Sequence, residues 1–383
     1  MIEHWINHLS DALVPIPGPY NPLKGIFVPI AYAGARDLAL HSSAPVALFY
    51  LICASSAFHL SANSADNRKS AEFMTLALSH HNEGIRHLQN SLNQDDPSQR
   101  ESVLASLLMC LMYEPATVEP SFWRNHLRGA SQWLRKIDGK ALIRTEPAAI
   151  LYQMFAGTAI LLRSQMISSQ AALEDCIGFD SELFSGPYHL HRVFGLPKQL
   201  LEAVSRIIET AASLRQHPDE AYTLPSDILD KQEFELYLSV PEYPRTLTPP
   251  IEVDLIYHHS WIFYFASIIY FKRTLRNTPA NEVQLLIEQA FDHIEALEAC
   301  TSRPSSPLTW PIAVIFFEVQ KTQLRKRAMD WIEFIIKSST LSIWQRAKPL
   351  FPAFWDRRQE AGCEDMHWDV FMDDPSIQGI MMF

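Results

Sequence analysis

Asp254 and His258 lie four residues apart in the run IEVDLIYHHSWIFYFASIIYF, and Tyr257, Trp261 and Phe265 recur beside them at helical spacing. Ionisable groups in so apolar a helix must be paired, stand at its exposed first turn, or face a cavity. Core packing is the plainer reading, with Asp254 near the helix N-terminus, where the backbone dipole favours an acid. The chemical reading is a ligand pocket, in which aromatic walls hold an apolar guest and a few polar groups orient it. Trp310 and Phe317, on a later apolar helix, supply the opposing wall for a sterol-sized molecule. The candidate ligand residues are therefore Asp254, Tyr257, His258, Trp261, Phe265, Trp310 and Phe317.

Two other sets have the right atoms for a metal. Asp369, Asp373 and Asp374, and separately Asp95-Asp96, are acids of the kind that bind Mg²⁺. An aromatic-lined helical cavity also suits carbocation chemistry, because ring faces stabilise cations. Yet Asp373-Asp374-Pro-Ser-Ile377 lacks the last acid of an aspartate-rich signature, and solvated loop acids explain it better. His80, Glu83 and His87 share one helical face, but a fourth ligand is missing and a polar surface is the better account. The expected set of resident cofactors is empty, with Mg²⁺ as the alternative. Five widely spaced cysteines form no C-x-x-C pair, which points to mostly buried thiols in a reducing compartment. No glycine-rich phosphate loop, G-x-S-x-G or H-E-x-x-H occurs, which weighs against an enzyme.

The elements that position these residues read as helices. Apolar residues make up 48% of the 383, including 21 Phe, 12 Tyr and 9 Trp, enough for a large core. No long run alternates with period two, and 3.6-residue periods recur from end to end. The expectation is an all-α chain, one domain over residues 1–383 with about 12–16 helices and a Pro-rich loop at about 217–250. Helices are expected over 45–60, 69–92, 147–170, 199–216, 252–275, 281–300, 311–320 and 325–337, with 183–197 as an irregular loop. Between 103 and 134 an apolar run ends at Glu114-Pro115, and a second helix places Trp123, Leu127, Ala130 and Leu134 on one face. Gly129 would leave room there for a close crossing. The apolar C-terminal tail around 368–383 should pack over the body.

Net charge is −11, which argues against nucleic-acid binding through an extended basic surface; only a local run at 321–327 is basic. The start, Met1-Ile-Glu-His-Trp, has no basic leader, and the block 261–271 is far shorter than the roughly 20 residues needed to span a bilayer. The reading is an intracellular chain with no membrane contact.

The string WRNHLRGA at 123–130 resembles the fungal-specific transcription factor domain. The likeness extends through HWINHLSDALVP, Asn21-Pro22, Ser56-Ala-Phe-His-Leu60, Trp310-Pro311, Phe354-Trp355-Asp-Arg-Arg358 and His367-Trp368, in order along the chain, with the acriflavine-sensitivity-control type most similar. In that family a six-cysteine zinc cluster lies upstream of the domain; this sequence has no such cysteine set, as a piece of a longer regulator or a protein turned to another task would. The resemblance implies a regulatory domain that senses a hydrophobic small molecule, acts in the nucleus, and pairs with itself or with transcription machinery. The alternative is a secondary-metabolism enzyme on the same scaffold, a Mg²⁺-dependent terpene cyclase in the cytoplasm; a scaffold without a ligand is the third reading.

Overall fold

The computed structural model describes residues 1–37, 43–94, 96–113, 122–167, 176–216, 226–243, 250–300 and 309–360, together with 362–363, 365–372, 374, 377 and 380. The chain is all-α: among these residues there is no strand, and thirteen helices have nine residues or more. They are α1 (Phe27–Asp37), α2 (Ala44–Ala62), α3 (Asn67–Gln94), α4 (Arg100–Tyr113), α5 (Phe122–Lys136), α6 (Glu146–Arg163) and α7 (Lys198–Gln216). Then follow α8 (Ser226–Leu238), α9 (Pro250–Thr274), α10 (Gln284–Cys300), α11 (Thr309–Phe317), α12 (Thr322–Ser338) and α13 (Leu350–Gln359).

Local sequence explains the helix starts. Thr145 accepts from the Ala148 N–H ahead of α6, and Asn21 accepts from Leu23 N–H ahead of the short helix Pro22–Gly25. Pro147 follows at a position where a missing N–H costs nothing. α2, α6 and α11 are buried on most sides, so their sequences are apolar all round; α3 lies at the edge and is amphipathic. One contiguous apolar core runs from Trp5 to Met372.

Several expectations need amending. Gly129 is exposed and a Cβ there would touch nothing, so it serves no crossing. The close approaches are elsewhere: a Cβ at Gly34 would sit 2.1 Å from Pro45 O, and one at Gly84 2.8 Å from Leu51 Cγ. α6 stops at Arg163 rather than continuing to residue 170, and the segment expected as a loop at 183–197 contains a helix at Leu190–Phe194. Within 217–250, expected as a loop, Ser226–Leu238 forms the 13-residue helix α8, while 217–225 and 244–249 lie outside the described residues. Among the described residues one helix, α2, is long and apolar enough to cross a membrane, but 78% of its apolar window is buried inside the body.

α9 is the organising element. It packs against α7, α8, α10, α11 and Leu190–Phe194. Twenty-five residues of helix surrounded on so many sides must present different chemistry to each neighbour, and this divides the candidate residues.

Candidate functional site

Positions 254, 257, 258, 261 and 265 form one stripe of α9, and that stripe meets His293 of α10. His258 Nδ1 lies 3.0 Å from His293 Nδ1, so one imidazole donates and the other accepts. The Trp261 ring stacks on His293 at 5.2 Å with 7° between planes, and Phe265 stands 6.0 Å from the same imidazole. Tyr257 packs edge-on against Trp261 and His293. Asp254 Oδ1 accepts from the Tyr243 hydroxyl at 2.7 Å, and the Tyr243 and Tyr257 rings lie 5.2 Å apart. Five of the seven expected residues thus share one surface.

Electrostatics keep that surface uncharged at its centre. Burial, then the neighbouring His258, lowers His293 to about 4. Burial also lowers His258, with the Asp254 carboxylate acting the other way. Trp261 Nε1 is buried and has no hydrogen-bond partner. The result is a half-buried face of flat neutral rings with a carboxylate and a phenol at one end. Such a face suits an apolar or aromatic body far better than it suits proton transfer or a charged substrate.

Trp310 and Phe317 stand elsewhere, and the expected two-walled slot is not formed. Two residues turn a helix by about 200°, so Phe263, not Trp261, faces Trp310. The Phe263 and Tyr270 rings lie 6.2 and 5.8 Å from Trp310, whose indole donates to Ser164 Oγ at 2.8 Å. Phe317 stacks on Trp368 at 5.7 Å and packs on Phe351 and Phe354. Both are fully buried core. Conversely, His293 and Tyr243 were missed. Each is a single polar aromatic in an otherwise ordinary helix or Pro-rich segment, and only the fold brings them to α9.

A half-open cleft of about 680 Å³ lies on another side of α9, floored by Ile256 and Ser260, flanked by Val240, Pro241 and Glu242, and lined also by the charged Glu202, Arg206 and Glu235. Arg206 of α7 reaches Glu235 of α8 at 2.9 Å across it. Its floor depends on glycine: Gly195 has φ +67°, and a Cβ there would lie 2.3 Å from His259 Cβ. Ser260 Oγ lies 2.9 Å from Gly195 O, fixing that approach. The segment 239–243 therefore touches both features, lining the cleft and delivering Tyr243 to Asp254.

The acids are otherwise engaged. Asp369 is fully buried; His367 Nδ1 lies 2.6 Å from its Oδ1, and Arg215 donates to its Oδ2. Burial opposes its ionisation, but His367 and Arg215 outweigh this and hold the carboxyl below the usual range. Asp374 lies 3.6 Å from Arg357, and Asp373 lies outside the described residues. His87 stacks on Tyr50, while Glu83 pairs with Arg86 at 2.6 Å. Among the described residues, no group of three or more metal-binding side chains converges.

A profile of the fungal specific transcription factor domain matches residues 1–382. The chain belongs to this family. Family membership covers every element described above and carries a role in transcriptional regulation. A segment of the domain is similar to arginine metabolism regulation protein II of Saccharomyces cerevisiae, 24% identical over 123 residues, 31% of this chain. That segment spans 14% of the relative's length. No solved structure matches the domain significantly.

Proposed function

We propose that this domain is the small-molecule-sensing part of a fungal transcriptional regulator working in the nucleus. The guest is a hydrophobic molecule whose flat or apolar body lies against Trp261 and His293, with Asp254 and Tyr243 orienting a polar end. The observation that supports this is the uncharged ring face at Trp261–His293, tied through Tyr243 to a cavity of ligand size. Occupancy would act by differential affinity for two placements of the 239–243 segment, and so of α8 beside it. The surface so changed would meet a second copy or the transcription machinery. Native mass spectrometry of the purified chain tests the reading: a retained apolar mass is expected, and Trp261→Ala should lower its occupancy at least tenfold.

A further inference from the structure

Of the thirteen large apolar side chains that stand exposed among the described residues, seven lie between residues 228 and 251, on α8, on the segment after it and at the start of α9. Elsewhere such side chains are scattered in ones and twos, which is ordinary, whereas a concentration of this kind marks an interaction surface. Phe234 and Leu238, one helical turn apart, are 62% and 67% exposed. Leu238 and Val240 both line the half-open cleft. Tyr243 is 54% exposed where its hydroxyl donates to Asp254, one turn along α9 from Ile251. The opposite side of α8 is committed to the body: Leu236 is buried, and Glu233 pairs with Lys272 and Arg276.

Charge decides what can cover this surface. Asp227 and Lys231 share the face of Phe234 and Leu238, at i, i+4, i+7 and i+11. The cleft adds Glu202, Glu235 and Glu242 with one base, Arg206, and Asp254 stands beside Tyr243. Five carboxylates therefore meet two bases. Arg206 is already engaged, with Glu235 at 2.9 Å and Glu202 at 3.9 Å. Neither Glu242 nor Asp254 has an ion pair among the described residues. A second copy of the chain would set this net-negative face against itself, bringing like charges together as the apolar side chains met. An anionic lipid surface would repel it for the same reason. A segment that offers apolar side chains flanked by lysine or arginine is complementary on both counts.

We infer that α8, the segment 239–243 and the start of α9 form a docking surface for a basic amphipathic segment of a partner protein. Its apolar side chains cover Phe234, Leu238 and Tyr243, and a lysine or arginine enters the cleft beside Glu242 and Glu202. The inference deepens the regulatory reading by stating what the α8 surface meets, and rests on that reading only for the coupling of guest to partner.

Fluorescence anisotropy of the full chain tests this with a labelled peptide of about 18 residues, leucine and lysine at helical spacing, against the same pattern with glutamate for lysine. Saturable binding of the lysine peptide and none of the glutamate peptide is expected. Phe234→Ser/Leu238→Ser, which alters only exposed side chains, should keep the wild-type Tm and weaken binding at least tenfold. Glu242→Lys should weaken it several-fold. Leu76→Ser/Leu78→Ser, a matched change on α3, should leave it unaltered. Trp261→Ala should also leave it unaltered, so peptide binding by a chain that retains no apolar mass would keep the docking surface and remove only the sensing reading. No binding of the lysine peptide, equal binding of the two peptides, an equal loss in the α3 variant, or a dimer that Phe234→Ser/Leu238→Ser dissolves would overturn the proposal.

Discussion

The His258–His293 pair sets how the ring face responds to acid. Burial lowers both imidazoles, His293 from the ordinary 6.5 to about 4. The unfolded chain therefore takes up protons near pH 6.5 that the folded chain refuses until about pH 4. Stability is unaffected above that window and falls as pH drops through it. His59 and His81, lowered to about 4, and His259, lowered to about 3, add in the same direction, each chiefly through burial. Tm measured from pH 7.5 to 4.5 should fall with acidification, and His293→Gln should flatten part of the slope; an unchanged slope would remove His293 from the account. The stripe 254–258–261–265 was legible because helical period alone puts these residues together. His293 was not. Its significance lies in the rings of α9 that stand opposite it, and one-dimensional spacing does not carry that fact.

Helices pack here by two means, and glycine separates them. α1 crosses the start of α2 so closely that a methyl at Gly34 would strike the Pro45 carbonyl at 2.1 Å. Gly34→Ala should destabilise the chain by about 3 kcal/mol in urea unfolding, since neither backbone can yield cheaply. Gly129→Ala, on the open face of α5, should be neutral or stabilising by up to about 1 kcal/mol. The reverse order would mean the crossing is placed elsewhere. α8 is held differently. Lys272 and Arg276 reach Glu233 at 3.0 and 2.9 Å, while Phe234 and Leu238 remain 62% and 67% exposed. Of its large apolar side chains only Leu236 and Leu229 join the core, so a helix held this lightly moves at lower cost than α9, and α8 carries one wall of the 680 Å³ cavity. The apolar face of α5 was readable because Trp123, Leu127, Ala130 and Leu134 obey one period, and all four are buried. Gly129 was misread because sequence cannot say which side of a helix lies open. Trp310 and Phe317 were misassigned for a related reason. Apolar residues on two helices do not reveal which faces meet, and α9 turns Phe263 rather than Trp261 toward Trp310.

At the scale of the molecule, the chain closes on itself through its C-terminal part. Trp368 stacks on Phe317, Arg273 and Arg358 both bind Glu318 Oε2 at 2.8 Å, and Asp369 ties the last described helix to Arg215 of α7. Asp369→Ala should cost roughly 2–4 kcal/mol in urea unfolding, because it strips a buried carboxylate from its cationic partners; a loss under about 0.5 kcal/mol would mean that the tail is not fastened there. The all-α class was legible from periodicity, and the packing of Trp368–Met372 onto the body from an apolar terminus, while residues 373, 375–376, 378–379 and 381–383 lie outside the described residues. The division of α9 between a closed core and a half-open ring face was not, since both sides are equally apolar in sequence. The central claim rests on that division. Its most direct test is native mass spectrometry on the wild-type chain, Trp261→Ala and a cavity-filling Ile256→Trp, purified side by side from a fungal host. A retained apolar mass that is present in the first and lost from Trp261→Ala, with Ile256→Trp reduced, is the predicted result. No retained mass in the wild-type chain, or the same mass at equal occupancy in all three, would contradict it.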